Sequence, residues 1–498
     1  MSTRSGGFLK YLLPLACLVS AFLGALFFSE TTSPLFSDWG FDSAMFQTIG
    51  KYWAEGYLPY VDLFDHKGPI IFLINAVGYA LCGRTGVFAL QVLFLAASEY
   101  LAYRLVSERL GGGLSVIAAL LLPVALTANW TEGNTTEEYI LPLLFASYWH
   151  MLRWGCRFER GECSHAPRAA FLYGATFAFA LLTRVTNALG VCLGVLLIAA
   201  ALIARRQRKS LWRNALGFVL GAAALTVPFC VYFAAHGALY DMWYGTLLFN
   251  LDYSAASGTE MQYGLTTLLV LFRRYIFGWC LVGAALWGMV LKREGRGRLV
   301  SAFWLIIALL NTLFMYTLND YAHYGICLLP LLYVALAELC APTLAPERKR
   351  LTRAALLAMV AVVLLSCTAK IYKEKTLVYP PQALENYGDD YMPLLAMIPE
   401  DSRGSFVAFD CPRRLYLQSG LRPAFRFFTL QQWMSINSPA FAETIRREFD
   451  ESGVEWVMTF DLYHNIPLVT TDIIAAKYIR VAVSSGGLYS LYHLNSAG

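Results

Sequence analysis

Long apolar runs separated by short basic connections fill roughly the first 370 residues. The runs lie at Tyr11–Phe28 and at about 86–107, 114–129, 138–152, 169–182, 186–204, 215–235, 275–291, 300–317, 324–340 and 354–369. A helix needs about 20 apolar residues to cross the hydrocarbon core of a bilayer, so each run is read as a membrane span. Periodicity inside them adds little, because a lipid-facing side and a packed side are both apolar. The first run follows Arg4 and Lys10, has a long apolar core and lacks a small-x-small cleavage site. It is expected to stay as an uncleaved first span. Residues 69–83 are apolar but short. They are read as a re-entrant or interface-lying segment, with a true span as the rival.

The tail after Lys370 has a different pattern. Charge is mixed, Pro380-Pro381 interrupts it, and short alternating runs suit strands. Strands are predicted at Ser405–Phe409 and Val454–Phe460, a helix at Ala440–Ser452, and a terminal hairpin from Tyr478–Ser484 and Leu488–Leu494 around Gly486-Gly487. The expected organisation is thus an all-α polytopic membrane domain over residues 1–370 and a small α/β domain over 371–498.

Composition strengthens the membrane reading. Of the 498 residues, 57% are hydrophobic and 15% charged, against roughly 25% charged in an ordinary soluble domain. A soluble enzyme, a disordered chain, a coiled coil and a nucleic-acid binder are all disfavoured. The eleven cysteines are scattered without a CxxC pair and are read as small hydrophobes.

Position of charge matters more here than its sum. Basic clusters occur at Arg153, Arg157, Arg160 and Arg168; at Arg205, Arg206, Arg208, Lys209 and Arg213; at Lys292, Arg293, Arg296 and Arg298; and at Arg348, Lys349, Arg350 and Arg353. Each lies between two apolar runs, and the positive-inside rule assigns all four to the cytoplasm. About 11 spans with a cytoplasmic N-terminus and an outer C-terminal domain satisfy that rule, provided residues 69–83 do not cross. The outer face then receives Glu30–Pro69, Asn129–Glu138, Asn319–His323 and the stretch His236–Thr267, which has Asp241, Asp252 and Glu260 but no Lys or Arg.

The first of these loops uses about forty residues where a connection needs only a few. Interface helices with aromatic anchors explain Trp39, Tyr52 and Trp53. They explain less well why Asp42, Asp62, Asp65, His66 and Lys67 sit beside membrane-depth segments, where ionisable groups are costly. In the second loop Glu137 and Glu138 suit an acidic first helical turn capped by Thr135 or Asn134, or a binding role. Asn134-Thr135-Thr136 also fits a glycosylation pattern. The third loop, Asn319-Asp320-Tyr321-Ala322-His323-Tyr324-Gly325, is dense in polar and aromatic groups. In it His323 has no evident structural task. Arg184 lies at the outer end of two short apolar runs, against the charge bias; snorkelling or pairing with an acidic loop is its bland explanation.

These loops resemble those of the C-type glycosyltransferases, polytopic membrane enzymes that use polyprenyl-phosphate sugars. The nearest likeness is to bacterial relatives of protein mannosyltransferases and to lipid A aminoarabinose transferases. Four features carry it over residues 8–370: Asp42 in a long first outer loop; His66-Lys67-Gly68-Pro69 before the next apolar stretch; acidic Glu132 and Glu137-Glu138; and Tyr321-Ala322-His323-Tyr324 at the outer end of a late span. The chain departs from the mannosyltransferase pattern at Ser43, where an acidic residue often stands, and in having Lys-Gly-Pro for Lys-Pro-Pro.

The resemblance implies sugar transfer at the outer face, where nucleotide sugars are absent and the donor arrives on a lipid phosphate. Asp42 is the candidate base for the acceptor hydroxyl. Lys67, Arg184 and His323 are candidates for the donor phosphate. Asp65, His66, Glu137, Glu138, Tyr321 and Tyr324 are candidates for sugar or acceptor. The partners implied are a polyprenyl-phosphate sugar, a glycan, lipid or protein acceptor and membrane lipids, with no nucleic acid. No cofactor is implied: related oligosaccharyltransferases tie a divalent cation with such carboxylates, but the closer likeness suggests none and no His/Cys/Asp spacing demands one. Two rivals remain at this level. A transporter would show repeated halves and mid-membrane polar groups; a polysaccharide ligase or polymerase would show a large late outer loop with catalytic basic residues.

In the tail, Arg413, Arg414, Arg422 and Arg426 read as a local positive surface. No Walker loop, HExxH or GxSxG occurs in the chain.

Overall fold

A computed structural model describes residues 5–36, 40–130, 132–251, 265–318, 321–341, 349–372, 390–431, 439–461 and 467–495. Trp39, Asp252, Glu260, Asn319, Asp320, Arg348 and Pro380-Pro381, named above, lie outside the described residues. The chain forms two compact units. One contains residues 1–37, 88–230 and 262–372; the other contains 38–87, 231–261 and 373–498. The second unit thus gathers the long first loop, the 231–261 stretch and the tail.

The first unit is a helical bundle. Among the described residues, Pro69–Val106, Val185–Ala204, Arg208–Ala235, Gly295–Met315, Ala322–Leu339 and Arg350–Thr368 are long and apolar enough to cross a membrane. The pair Thr267–Arg274 and Ile276–Leu291, bent by 74°, makes a seventh if taken as one span. The remaining runs fall short for local reasons. Leu12–Phe28 is a shorter apolar helix. The run near 114–129 breaks into Gly112–Leu120 and Leu122–Leu126 where Pro123 starts a new turn. Pro167–Leu181 has only 15 residues. The protein is a multi-pass membrane protein.

Close packing uses small residues, as expected where lipid removes most of the hydrophobic drive between helices. A Cβ on Gly174 would stand 1.9 Å from the Phe218 carbonyl oxygen, and one on Gly221 would stand 1.9 Å from that of Phe171. The helices Pro167–Leu181 and Arg208–Ala235 therefore touch backbone to backbone.

Polar groups collect at two places in this unit. At one, Lys292 is fully buried, 3.1 Å from Glu159 and 2.7 Å from Glu338. Arg109 lies 3.0 Å from the same Glu159. Arg296 lies against Gly161, and Arg205 stands 5.8 Å over the Phe158 ring. Three of the four basic connections thus gather together, although Lys292 is a buried ion-pair partner and not a free loop cation. A buried network of this kind is costly to break from one side. The second place contains Glu132–Glu138, Arg184 and Tyr321–Gly325.

The helix Pro69–Val106 starts in the second unit and reverses at Cys82 (φ −163°, ψ 34°) and Gly83 (φ 61°, ψ −140°). The left-handed Gly83 is a conformation that other residues adopt poorly. The arms then press together so tightly that a Cβ on Gly86 would lie 2.0 Å from the Gly78 carbonyl oxygen. Residues 69–81 are therefore one arm of a helical hairpin, and Cys82 is exposed at its tip, unlike buried Cys17, Cys327, Cys367 and Cys411.

The tail carries a four-stranded sheet. Its strands are β1 (Phe406–Phe409), β2 (Trp456–Phe460), β3 (Tyr478–Val483) and β4 (Tyr489–Leu494), in the order β1-β2-β4-β3. β1 and β2 are parallel, with Val407 opposite Val457, and so need a crossover; the helix Pro439–Glu451 lies in it. β3 and β4 form the antiparallel hairpin, with Tyr478 opposite Leu494. Phe441, Ile445 and Phe449 are buried on one face of the crossover helix, at helical spacing.

Candidate functional site

The candidate residues fall into three settings, one in the bundle and two in the second unit. In the bundle, Arg184 precedes a short 3-10 turn, Val185–Ala188, where the backbone is extended and the side chain is released from helical packing. Its Nη1 is 3.1 Å from Glu137 Oε1. Its guanidinium carbon lies over Tyr324, 3.2 Å from the ring centroid. Glu137 is buried. Burial opposes its charge, but His323 and then Arg184 outweigh that, and the carboxyl is held below its ordinary pKa. His323 stacks on exposed Tyr321 with centroids 5.7 Å apart and meets Tyr324 edge-on at 4.7 Å. Arg184, Glu137, His323, Tyr321 and Tyr324 therefore form one cluster, drawn from three connections far apart in the chain.

Glu138 points elsewhere. Oε1 accepts from Trp130 Nε1 at 2.6 Å and from Thr135 at 3.3 Å, and Oε2 accepts from Gln91 Nε2 at 2.6 Å. Ser29 also reaches Gln91, at 3.0 Å. Asn134 adopts φ 57° and accepts from the Tyr139 hydroxyl at 2.8 Å. Thr135 occupies the N-cap of Thr136–Tyr139 without a side-chain capping bond. The second loop is thus pinned from beneath by Glu138, while Glu137 faces Arg184. Gln91 and Trp130 were not legible as partners, because each lies within an apolar stretch.

In the second unit, Asp65-His66-Lys67 forms a chain of contacts within three residues. Asp65 is 2% exposed. Its Oδ1 accepts the Lys67 backbone N–H at 3.0 Å, and its Oδ2 is 3.5 Å from His66 Nδ1. Lys67 Nζ lies 2.8 Å from His66 Nε2. At that contact the ammonium is the donor. Burial would raise the Asp65 pKa; His66, then Lys67, reverse this and bring it down to about 2. Two outside donors fix the turn: Tyr60 Oη to the Lys67 carbonyl at 2.8 Å, and Asn250 Nδ2 to the His66 carbonyl at 2.8 Å. Tyr60 is fully buried at φ 71°, a strained setting for a non-glycine residue. Its role could not be read from sequence.

Asp42 is the first residue of the helix Asp42–Ala54, where a carboxylate suits the helix dipole. It is half-buried. The neighbouring Phe41 ring lies 4.3 Å from the Arg413 guanidinium carbon. Arg413 is 2% exposed, so it does not belong to the positive surface expected for the tail. Arg426 is paired with Glu448 and lies 3.6 Å from Asp241, and Arg422 stands over Tyr57. Among the described residues no group of three or more His, Cys, Asp or Glu side chains is arranged to hold a metal ion.

The fold has solved relatives. ArnT from Cupriavidus metallidurans bound to undecaprenyl phosphate is 15% identical, with a TM-score of 0.58 and 99% of each chain covered. The same protein in the apo state gives 15% identity, a TM-score of 0.56 and 98% coverage of each chain. The archaeal oligosaccharyltransferase AglB from Archaeoglobus fulgidus, in complex with an inhibitory peptide and a dolichol-phosphate, is 14% identical. Its TM-score is 0.48, with 98% of this chain and 75% of that one covered. ArnT is a lipid A aminoarabinose transferase, one of the groups that the outer loops resemble, and the chain has the C-type glycosyltransferase fold. No curated protein matches the sequence. Residues 11–362 match the family described as "Putative competence-induced protein Ccs4 N-terminal domain", and the chain belongs to that family.

Proposed function

We propose that this protein transfers a hexosyl or pentosyl unit, with inversion, from a polyprenyl-phosphate carrier to an acceptor at the outer face of the cell membrane, in cell-envelope glycan or glycoconjugate assembly. The observation that carries the reading is Arg184. This cation is fixed between a buried carboxylate and an aromatic face, yet its side chain keeps 16% of its surface open. Such a fixed, partly open cation suits a phosphate better than a simple membrane anchor would.

In this mechanism Asp42 takes the proton of the acceptor hydroxyl. The acceptor oxygen attacks the anomeric carbon from the face opposite the phosphate. The C1–O bond to phosphate breaks, and the polyprenyl phosphate leaves with the electron pair. Lys67, Arg184 and His323 stabilise that leaving charge. Asp65 and His66 hold Lys67 in place. Glu137, Tyr321 and Tyr324 contribute to sugar or acceptor binding, and Glu138 does so by fixing the loop. An apolar groove of about 840 Å³, lined by Leu15, Val19, Leu23, Phe27, Leu120 and Pro123, offers the polyprenyl tail a bed.

The topology belongs to the same proposal. The N-terminus and four basic connections face the cytoplasm, with about 11 membrane-crossing segments, and residues 371–498 form an extracytoplasmic domain. The gathering of Arg109, Arg205, Lys292 and Arg296, apart from the Arg184 cluster, supports it. Labelling of single cysteines from the two sides tests it; a label reaching 205–213 from outside would overturn it. The activity is tested by incubating purified protein with a panel of undecaprenyl-phosphate sugars and envelope acceptors. Transfer that Asp42→Asn abolishes supports the reading, and no transfer from any donor by folded protein would sink it.

A further inference from the structure

In the tail, Arg413 is a buried cation with capacity to spare. Its Nη1 donates to the Cys411 carbonyl at 3.0 Å and its Nη2 to the Thr429 carbonyl at 3.2 Å. Its Nε is buried and has no hydrogen-bond partner. A guanidinium in such a place is normally matched by a carboxylate, because an unpaired buried charge is severely disfavoured. Burial pulls its pKa down, and Tyr416, Asp410, Cys411 and Asp42 oppose that pull. The Phe41 ring covers the guanidinium at 4.3 Å. Tyr52, on the helix that Asp42 begins, donates to the Leu421 carbonyl at 2.7 Å.

The same tail segment also reaches the Lys67 turn. Thr429, whose carbonyl accepts from Arg413, donates through Oγ1 to the Phe64 carbonyl at 3.3 Å. Phe64 N–H donates to the Arg426 carbonyl at 2.9 Å, and the Phe64 and Phe427 rings meet at 4.9 Å. Asp65, which organises His66 and Lys67, is the next residue.

We infer that Arg413 is a positioning residue contributed by the tail: through the Phe41 ring that covers it, it holds the Asp42 end of one helix against the tail segment that also meets Phe64. This inference rests on the proposed transfer reaction and extends it. The tail then completes the base side of the site and is more than a passive outer domain. Arg413 touches no reacting atom and acts through Asp42.

A double-mutant cycle tests it, because a residue acting through another loses its effect when that other residue is gone. In the wild-type background Arg413→Gln is expected to lower single-turnover sugar transfer about ten- to a hundredfold. Binding of undecaprenyl phosphate, used as the probe, should change less than about threefold. Arg413→Lys should recover part of the rate by restoring the cation. In an Asp42→Asn background, Arg413→Gln should have almost no further effect. An equal loss in both backgrounds, or near-normal transfer by folded Arg413→Gln, would overturn the inference. Should Arg413→Gln not yield monodisperse protein, Phe41→Leu, which removes the ring covering the guanidinium, takes its place in the cycle with the same two outcomes. If Asp42→Asn alone keeps full turnover, the base assignment fails, and that result is separate from any effect at Arg413.

Discussion

Arg184 and Lys67 are the two cations proposed for the donor phosphate, and each is held in its own unit in an opposite way. Lys67 is organised by its own neighbours: Asp65 accepts its backbone N–H and His66 meets its ammonium, all within three residues. Arg184 is organised by distant segments, with Glu137 47 positions earlier in the chain and Tyr324 on a late connection. The first arrangement is a turn that can be recognised as a motif. The second exists only once the bundle has folded. A compact ammonium on a flexible stem suits the local turn, whereas a planar guanidinium can pair and stack at once.

The largest expected effect tests what the two cations share. Asp42→Asn preserves size but removes the base, and should lower transfer by roughly two to four decades. Undecaprenyl phosphate binding should survive, since both cations remain. Turnover close to wild type would move the base to Glu137, and loss of folded protein would mark Asp42 as structural.

Next come the cations themselves. Lys67→Ala and Arg184→Ala should each weaken capture of undecaprenyl phosphate by about ten- to a hundredfold, the worth of a hydrogen bond to a charged group. Arg184→Lys should rescue poorly, because a compact ammonium cannot both pair with Glu137 and cover the Tyr324 ring as the guanidinium does. Lys67→Arg should rescue better. Isothermal binding measurements decide between them, and equal rescue at both positions would show that the two cations are held alike.

A third test bears on the local turn through pH. The Asp65 pKa falls from 3.8 to about 2 on folding. A depressed carboxyl stabilises the fold above its unfolded pKa, and that contribution is lost as pH falls through the folded value. The contribution is on the order of 2 kcal/mol at neutral pH. Asp65→Asn should therefore melt earlier than wild type at pH 7, and the gap should close between about pH 4 and pH 2. A gap that is constant across that range would show that the Asp65 charge is not what holds the turn.

The smallest effect separates stacking from pairing. Tyr324→Leu should reduce undecaprenyl phosphate affinity about threefold to tenfold by removing the face beneath Arg184. The exposed Tyr321→Leu should matter less. Larger loss at Tyr321 would indicate that it contacts ligand directly.

Much was legible in the chain itself. Apolar runs are long because lipid offers no partner for a bare backbone, so the membrane domain declared itself. Its strands and crossover helix in the tail followed from alternating and helical spacing: Pro439–Glu451 and Tyr478–Val483 lie close to the stretches that suggested them. Asp65-His66-Lys67 stood out because its polar residues are consecutive beside an apolar run. Span lengths were harder to read, since Pro123 breaks one run and a reversal at Cys82-Gly83 turns another back on itself.

What the sequence determined by itself is therefore what depends on near neighbours: apolar length, strand alternation, and a turn closed by adjacent side chains. What only the tertiary structure decided is what depends on remote ones. Glu137 and Glu138 are adjacent and chemically alike, yet one meets Arg184 and the other is enclosed by Gln91 and Trp130. Arg413 and Arg422 lie in one basic stretch, yet Arg413 is buried beneath Phe41 and Arg422 stands over Tyr57. Charge, burial and partner are properties of the space around a side chain, and that space is filled by segments dozens to hundreds of residues away.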